Sequence, residues 1–401
     1  MATLGGPTLE QQIRLDAVMV DGRLAARSLV TTRTGAIAVA LVAQPITDIP
    51  QLLSRLFPLC GMAHAVAGLT AIENALAVEA SPAQRALRET MLLAEHGAAL
   101  GWRMLMDWPL LIGVNPDVRA CADLRRAVAA LSAIAQPGQW MIIGGTRKHL
   151  DRADLSRPLS ALVRNLTGLF PEAAGARSWS NLESSIRRGA STPARLIGAA
   201  RAGAMADYGS HNRPMLAPKP ADWFAARLAA DAGFSNAPTF DGVPAEVGPL
   251  AAQRHPLIAD AVSHWGKTLA TRLLACALDA QVVAERLSHA FDGLADDDSS
   301  AVDMTRAGCG AGVVETARGP LAYVVEVADG RVAMLRSVAP TEWNFHTDGP
   351  FMTALAAAPR VSDPVAAARL LAASFDPCVP FIVDVAGGQR ASLNAELALH
   401  A

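Results

Sequence analysis

The sequence predicts an α+β protein that is mostly helical, with β-hairpins near its N- and C-terminal ends. Residues 13–29 alternate around Asp21-Gly22, and residues 321–327 and 331–338 flank Asp329-Gly330 in the same way. An Asp-Gly pair between two alternating segments is typical of a tight hairpin turn. The long stretch between the hairpins has helical rather than strand periodicity. We expect the two hairpins to meet.

Helix signals fill the middle of the chain. Ser81 and Pro82, with Gln84 three residues after the serine, are typical of a helix start, and this helix is predicted to run to about Asp107. Further helices are predicted over 116–133, 157–170, 180–204, 220–232 and 256–291, and over a last short segment from Asp363-Pro364 to near Ser374.

These elements predict one domain over residues 1–401. Residues 1–45 supply N-terminal strands, including a third strand at 36–42. Residues 46–295 supply the helical core, and residues 305–401 supply the second hairpin and a cysteine motif. The chain is 51% hydrophobic, which is enough apolar material for a sizeable core.

Composition excludes several classes of function. The 35 basic and 37 acidic residues give a net charge of −2 with no basic stripe, so no nucleic-acid partner is expected. No apolar run reaches the roughly 18 residues of a spanning helix, so no membrane insertion is expected. The five scattered cysteines do not form a disulfide framework, which favours the cytoplasm.

Two lone cysteines lie beside prolines, each at the predicted boundary of a helix. Cys60 lies in the segment 55–64 and Cys378 in the segment 374–381. A thiol at a helix N-terminus has a lowered pKa and is a better ligand or nucleophile. Taken alone, a cysteine in such a position is more often structural than functional. The glycine-rich segment 308–312 resembles a phosphate loop, but it follows an acidic loop rather than a strand, which argues against a dinucleotide site.

Several motifs in order resemble the large subunit of nickel–iron hydrogenases. Residues 55–64 (RLFPLCGMAH) are similar to the family's R-x-C-G-x-C-x-x-x-H, and residues 376–384 (DPCVPFIVD) to its D-P-C-x-x-C-x-x-H. Residues 242–250 (GVPAEVGPL) and the block 312–350 also look like family segments, and residues 8–12 (TLEQQ) stand where the family has R-I-E-G-H. The resemblance implies a hydrogenase large-subunit-like helical core with N- and C-terminal β-hairpins.

The departures from the family pattern concern the nickel site. In the family four cysteines bind nickel, and the second of each pair also binds an iron that has two cyanides and one carbon monoxide. Here Phe57 replaces the first cysteine and Cys60 keeps the bridging position; Cys378 keeps a terminal position, while Phe381 replaces its bridging partner and Asp384 the final histidine. Because phenylalanine offers no lone pair, we expect no nickel and no catalysis. The two phenyl rings are expected to fill the nickel pocket.

The iron side of the site is better preserved. Arg318 matches the arginine above the family's active site, and Pro340-Thr341 match the segment that hydrogen-bonds a cyanide. The resemblance therefore implies a cyanide and carbonyl pocket at these residues. Two alternatives stay open: a buried ion pair of Arg318 with Glu315 or Glu342, and simple turn capping by Thr341.

Two further residues could support the ligands. His64, one turn after Cys60, is expected to contact the cysteine sulfur and support it without binding the metal itself. Glu10 matches a family glutamate, but a solvated or capping role is equally consistent with the sequence. Whether Cys60 alone binds iron, or Cys60 together with Cys378, is also open.

Within the family, the chain resembles maturation proteins of the HupK/HoxV type. The resemblance implies a non-catalytic scaffold that transiently binds the iron–dicyanide–carbonyl unit. Its expected partners are the hydrogenase maturation proteins that donate the unit (a donor chaperone complex) and the hydrogenase large subunit precursor that receives it. The alternative is a metal-free structural or interaction subunit on the same fold.

Overall fold

The computed structural model describes residues 11–31, 40–135, 140–145, 152–290, 302–304, 306–386 and 389–393. The strands are β1 (Ile13–Val20), β2 (Arg23–Thr31), β3 (Gly308–Thr316), β4 (Gly319–Ala328), β5 (Arg331–Val338), β6 (Phe381–Val385) and β7 (Gln389–Leu393). They form a four-stranded sheet in the order β2-β1-β6-β7 and a three-stranded sheet in the order β3-β4-β5.

Helices make up most of the remaining described residues. They are α1 (Ile49–Leu56), α2 (Gly61–Leu76), α3 (Pro82–Trp102), α4 (Trp108–Leu111), α5 (Val118–Ala135), α6 (Arg152–Leu169), α7 (Trp179–Arg188), α8 (Thr192–Ala200), α9 (Ala221–Ala230), α10 (Pro249–Ala252), α11 (Leu257–Trp265), α12 (Leu269–Ala290), α13 (Pro340–Asn344), α14 (Pro350–Ala356) and α15 (Pro364–Phe375). A π-helical segment, Arg103–Asp107, continues α3. None of the described helices combines the length and the apolar character needed to cross a bilayer.

Both predicted hairpins are present, but they belong to different sheets. The N-terminal hairpin β1–β2 pairs instead with β6, which runs parallel to β1 with Ile13 opposite Phe381. Phe381 and Val383 are fully buried, because the strand after the second cysteine motif crosses the core. The sheet therefore links the first residues described to the strand that follows Cys378.

Three predicted elements differ from the structure. The third strand at 36–42 falls mostly outside the described residues, and Leu41 and Val42 lie in a turn before Ala43, whose φ is 65°. The single helices predicted over 180–204 and 256–291 are wrong. Each is broken by a glycine with positive φ, Gly189 at 62° and Gly266 at 69°. A lone glycine leaves the apolar period intact, so the sequence pattern continues across the break.

The glycine-rich segment is a strand and not a phosphate loop. Gly308, Gly310 and Gly312 alternate along β3 and press against α2, the helix that begins after Cys60. A Cβ on Gly310 would collide with the backbone of Ala71 and Ala75. The glycines therefore permit direct contact between the strand backbone and the helix backbone.

Replacement of Gly310 by alanine is expected to lower the free energy of unfolding by about 3 kcal/mol, the upper part of the range for overpacking. The added methyl meets backbone atoms, which cannot rotate away. Urea denaturation measures the change. The matched control is Cys309→Ala on the exposed face of the same strand, which should change stability by no more than about 0.5 kcal/mol. Equal losses in both variants would contradict the packing explanation.

Candidate functional site

Cys60 lies at the start of α2. It is the N-cap residue, half-buried, and its backbone N–H donates to the Phe57 carbonyl at 3.1 Å, which closes a tight turn around Pro58. The helix N-terminus has a partial positive charge that favours a thiolate. The predicted position of Cys60 at a helix start is confirmed.

Glu95 of α3 caps the same helix, a contact that no motif in the sequence indicates. Its carboxylate oxygens accept from the backbone N–H groups of Met62 at 2.7 Å and Ala63 at 3.0 Å. Burial raises the pKa of Glu95 to about 7, although the two N–H groups and the charge of Arg318 act in the opposite direction. The backbone N–H groups of Met62 and Ala63 thus hold the Glu95 carboxyl group close to the candidate ligand Cys60, although burial disfavours its charged form.

The variant Glu95→Gln is expected to change how stability depends on pH. The folded pKa of Glu95 is near 7 against 4.5 for an ordinary glutamate, so between these values the unfolded chain releases this proton and the folded chain keeps it. Wild-type stability should therefore fall, relative to Glu95→Gln, by about 3 kcal/mol between pH 4.5 and 7 and stay level above. Urea denaturation at several pH values, with the exposed Glu89→Gln as control, measures this. A pH-independent difference would contradict it.

Cys378 lies beyond a helix C-terminus. Helix α15 ends at Phe375, and Asp376, with φ at 49°, turns the chain towards Cys378 and β6. The helix dipole that favours a thiolate at Cys60 therefore does not act at Cys378. Of the two cysteines, only Cys60 lies at a helix N-terminus.

The loop before Cys378 is held by two arginines. The Asp376 carboxylate forms ion pairs with Arg318 Nε at 3.2 Å and with Arg103 Nε. Arg103 Nη2 also donates to the Pro377 carbonyl at 3.0 Å. The Arg103 guanidinium is buried and additionally bonds Asp107 at 2.5 Å.

Arg318 lies in the turn between β3 and β4 and is 8% exposed. The alternative that it pairs with Glu315 or Glu342 is wrong: its ionic partner is Asp376, and Glu315 instead accepts from Arg254 at 3.3 Å. Among the residues that the structure describes, the Nη groups of Arg318 have no hydrogen-bond acceptor.

Thr341 contacts Cys378 directly. Its hydroxyl oxygen is 3.1 Å from the Cys378 sulfur and accepts a long 3.5 Å bond from the Cys378 N–H. Pro340 begins α13, and Ala339 rather than Thr341 is the N-cap of that helix. The threonine therefore supports Cys378 instead of capping a turn, and its predicted contact with a cyanide remains a prediction.

The two phenylalanines at the family's cysteine positions have different neighbours. Phe57 stacks on His64, with ring centroids 3.6 Å apart. Phe381 is fully buried against Phe345 and Phe351. That these rings replace nickel ligands stays a prediction from the resemblance.

His64 is positioned by two contacts besides the stack. Its Nδ1 lies 2.6 Å from the Tyr323 hydroxyl, and its backbone N–H donates to the Cys60 carbonyl at 3.0 Å. Its expected contact with the Cys60 sulfur stays a prediction. Glu10 lies outside the described residues.

A cavity of about 460 Å³ lies next to the Cys60 loop, although neither Cys60 nor Cys378 is among the residues that line it. Leu59, Met62, Glu95, Trp102, Arg103 and Arg318 are among the residues that line it. Leu59 and Met62, on either side of Cys60, therefore line the same cavity as Arg318. Arg318 in turn pairs with Asp376, which lies in the loop before Cys378. Within the described ranges no group of three or more His, Cys, Asp or Glu side chains is arranged to hold a metal ion.

Known proteins are similar to this chain in sequence and in fold. The family model described as nickel-dependent hydrogenase matches residues 226–383. The hydrogenase expression/formation protein HupK of Bradyrhizobium diazoefficiens is 32% identical over 354 residues, covering 85% of this chain and 87% of that protein. HupK of Rhizobium leguminosarum bv. viciae is 30% identical over 346 residues, covering 84% and 86%.

The fold is similar to that of the reduced nickel–iron–selenium hydrogenase of Desulfovibrio vulgaris Hildenborough, with a TM-score of 0.62. The sequence identity is 15%, and the match covers 90% of this chain and 94% of that chain. The predicted fold class is confirmed by this match. Taken together, the matches show that the chain belongs to the HupK family of hydrogenase expression/formation proteins and has a hydrogenase large-subunit-like fold.

Proposed function

We propose that this chain is a non-catalytic scaffold in the maturation of nickel–iron hydrogenase. Its HupK relatives, which are 30–32% identical, are named as expression/formation proteins, and this supports a role in maturation rather than in hydrogen turnover. Phe57 and Phe381 stand at two of the four positions where the resembling family has cysteine, which agrees with a non-catalytic role.

The cargo in this proposal is the iron–dicyanide–carbonyl unit. Cys60 is its first ligand and Cys378 the candidate second. The chain receives the unit from the donor chaperone complex and passes it to the hydrogenase large subunit precursor. Transient binding suits a carrier, because, of the two cysteine positions that bind iron in the resembling family, only Cys60 is kept, and Phe381 replaces the other.

The observation that supports this cargo most strongly is the environment of Arg318. The side chain is 8% exposed and lines a cavity that the residues next to Cys60 also line. An iron-bound cyanide is an anionic acceptor, and a guanidinium in a dry site forms strong charge-assisted hydrogen bonds with such a group. Its Nη groups have no acceptor within the described part of the chain, so they are available to this ligand.

Apolar residues of the cavity suit the carbon monoxide ligand of the iron unit. Leu59 and Met62 give the cavity an apolar side, which suits a carbon monoxide ligand. Soft thiolates suit iron in this form, whereas a full nickel site needs more sulfur donors than Cys60 and Cys378 provide.

Metal analysis of the full chain tests the proposal. The protein is purified without air from cells that express the hydrogenase maturation genes and from cells that lack them. We expect iron without nickel in the first preparation only. Equal iron in both, nickel in proportion to iron, or no iron in either would overturn the proposal, and the last result would favour a metal-free interaction subunit.

A further inference from the structure

One helical stretch contacts both cysteine loops. We propose that Glu95 on α3 and Arg103, at the start of the π-helical segment that continues it, are positioning residues that hold Cys60 and Cys378 as a pair. This inference rests on the proposed function, because it concerns the two candidate ligands. Neither residue belongs to a cysteine motif.

Glu95 takes over the capping of α2. An N-cap side chain ordinarily accepts from the backbone N–H groups two and three positions after it. After Cys60 these are the N–H groups of Met62 and Ala63, and both donate to Glu95, at 2.7 and 3.0 Å. The cap is thus supplied from another helix, which anchors the start of α2 to α3 and assigns the capping role to a residue other than the cysteine.

Arg103 anchors the loop before Cys378. Its guanidinium pairs with the Asp376 carboxylate and donates to the Pro377 carbonyl at 3.0 Å, the residue immediately before Cys378. A planar guanidinium that bonds a side chain and a main-chain carbonyl together fixes the direction of the loop. Asp107, on the same π-helical segment, holds Arg103 from the other side at 2.5 Å.

The two anchors are set at a fixed distance. Glu95 and Arg103 are eight residues apart, which corresponds to about 12 Å along a helix. Both line the same cavity as Arg318, which itself pairs with Asp376. A local π-helix is often found at functional sites, and here Arg103 is its first residue. One continuous helical stretch therefore contacts both loops around the candidate cargo position.

Alkylation of the cargo-free chain tests this arrangement. Full-length protein from cells without the maturation genes is pulsed with iodoacetamide, and peptide mass spectrometry gives the rates at Cys60 and Cys378 relative to the exposed Cys309. We expect Glu95→Ala to raise the rate at Cys60 about tenfold, with Cys378 within about twofold of wild type. Arg103→Lys keeps the charge but loses the planar contacts. We expect it to raise the alkylation rate at Cys378 about tenfold, with the rate at Cys60 within about twofold of wild type.

The same helix offers matched controls. Glu89→Ala and Arg85→Lys alter exposed residues of α3 that form surface ion pairs with Arg286 and Glu79, and they should change neither rate. Glu95→Gln, which keeps an acceptor oxygen, should raise the Cys60 rate less than Glu95→Ala. Equal acceleration at both cysteines, or no acceleration at either, would overturn the inference.

The test separates the inference from the proposed function. If wild-type protein from cells with the maturation genes holds no iron, the scaffold proposal fails while the alkylation pattern is unaffected. If iron is bound but the alkylation rates do not separate, the positioning inference fails and the scaffold proposal stands.

Discussion

Replacement of Cys60 by serine is expected to reduce the iron that purifies with the chain by at least about tenfold, because a soft thiolate is replaced by a hydroxyl. Cys60 is the thiol at the start of α2, where the helix dipole favours the charged ligand, and Arg318 and the cavity lie next to its loop. Iron and protein are measured in the same preparation from cells with the maturation genes.

Two further cysteine variants show whether the loss of iron is specific to Cys60. Cys309→Ser alters an exposed thiol on β3 and should leave the iron content unchanged. Cys378→Ser decides whether the second thiol is also a ligand: a loss as large as that of Cys60→Ser assigns both, and a small loss assigns Cys60 alone. Full iron retention in Cys60→Ser would contradict the assignment of Cys60.

Removal of Arg272 is expected to give the largest loss of stability, about 3–5 kcal/mol, because it leaves a buried carboxylate without its main partner. Arg272 Nε and Nη2 bond the Glu246 carboxylate at 2.8 and 2.9 Å, and both side chains are about 2% exposed. Burial raises the pKa of Glu246, but Arg272 and His211 together lower it to about 2, so the group is charged in the folded chain.

Urea denaturation of Arg272→Ala measures the loss, and the control lies on the same helix. Arg286 of α12 pairs with Glu89 at the surface, where both side chains are at least 40% exposed, so Arg286→Ala should cost no more than about 0.5 kcal/mol. Comparable losses in the two variants would contradict the buried-pair explanation. Arg272 also lies 4.3 Å above the ring of Phe375, so its removal should disturb the residue before Asp376 as well.

Local signals in the sequence predict much of the fold. The Asp-Gly pairs place both hairpins, and Ser81 caps α3 as expected, accepting from the Gln84 N–H. The packing role of the glycines of β3 has no local signal in the sequence, since it depends on a helix more than 200 residues earlier in the chain. The pairing of β1 with β6 likewise joins opposite ends of the sequence.

The candidate site divides in the same way. The sequence motifs predict four residues of the candidate site: Cys60, Cys378, Arg318 and Thr341. In the structure the Thr341 hydroxyl contacts the Cys378 sulfur. Glu95 and Arg103 were missed, because their contacts join residues 32–33 and 274 positions apart and neither lies in a motif. Amphipathic periodicity places such residues on a helix, but it does not say which loop they contact.

Infrared spectroscopy of the wild-type chain, purified without air from cells that express the maturation genes, detects the diatomic ligands of the cargo themselves. We expect carbonyl and cyanide stretching bands together with iron and without nickel, and their loss in Cys60→Ser. A preparation that contains iron but shows neither band would contradict the claim that the iron–dicyanide–carbonyl unit is the cargo.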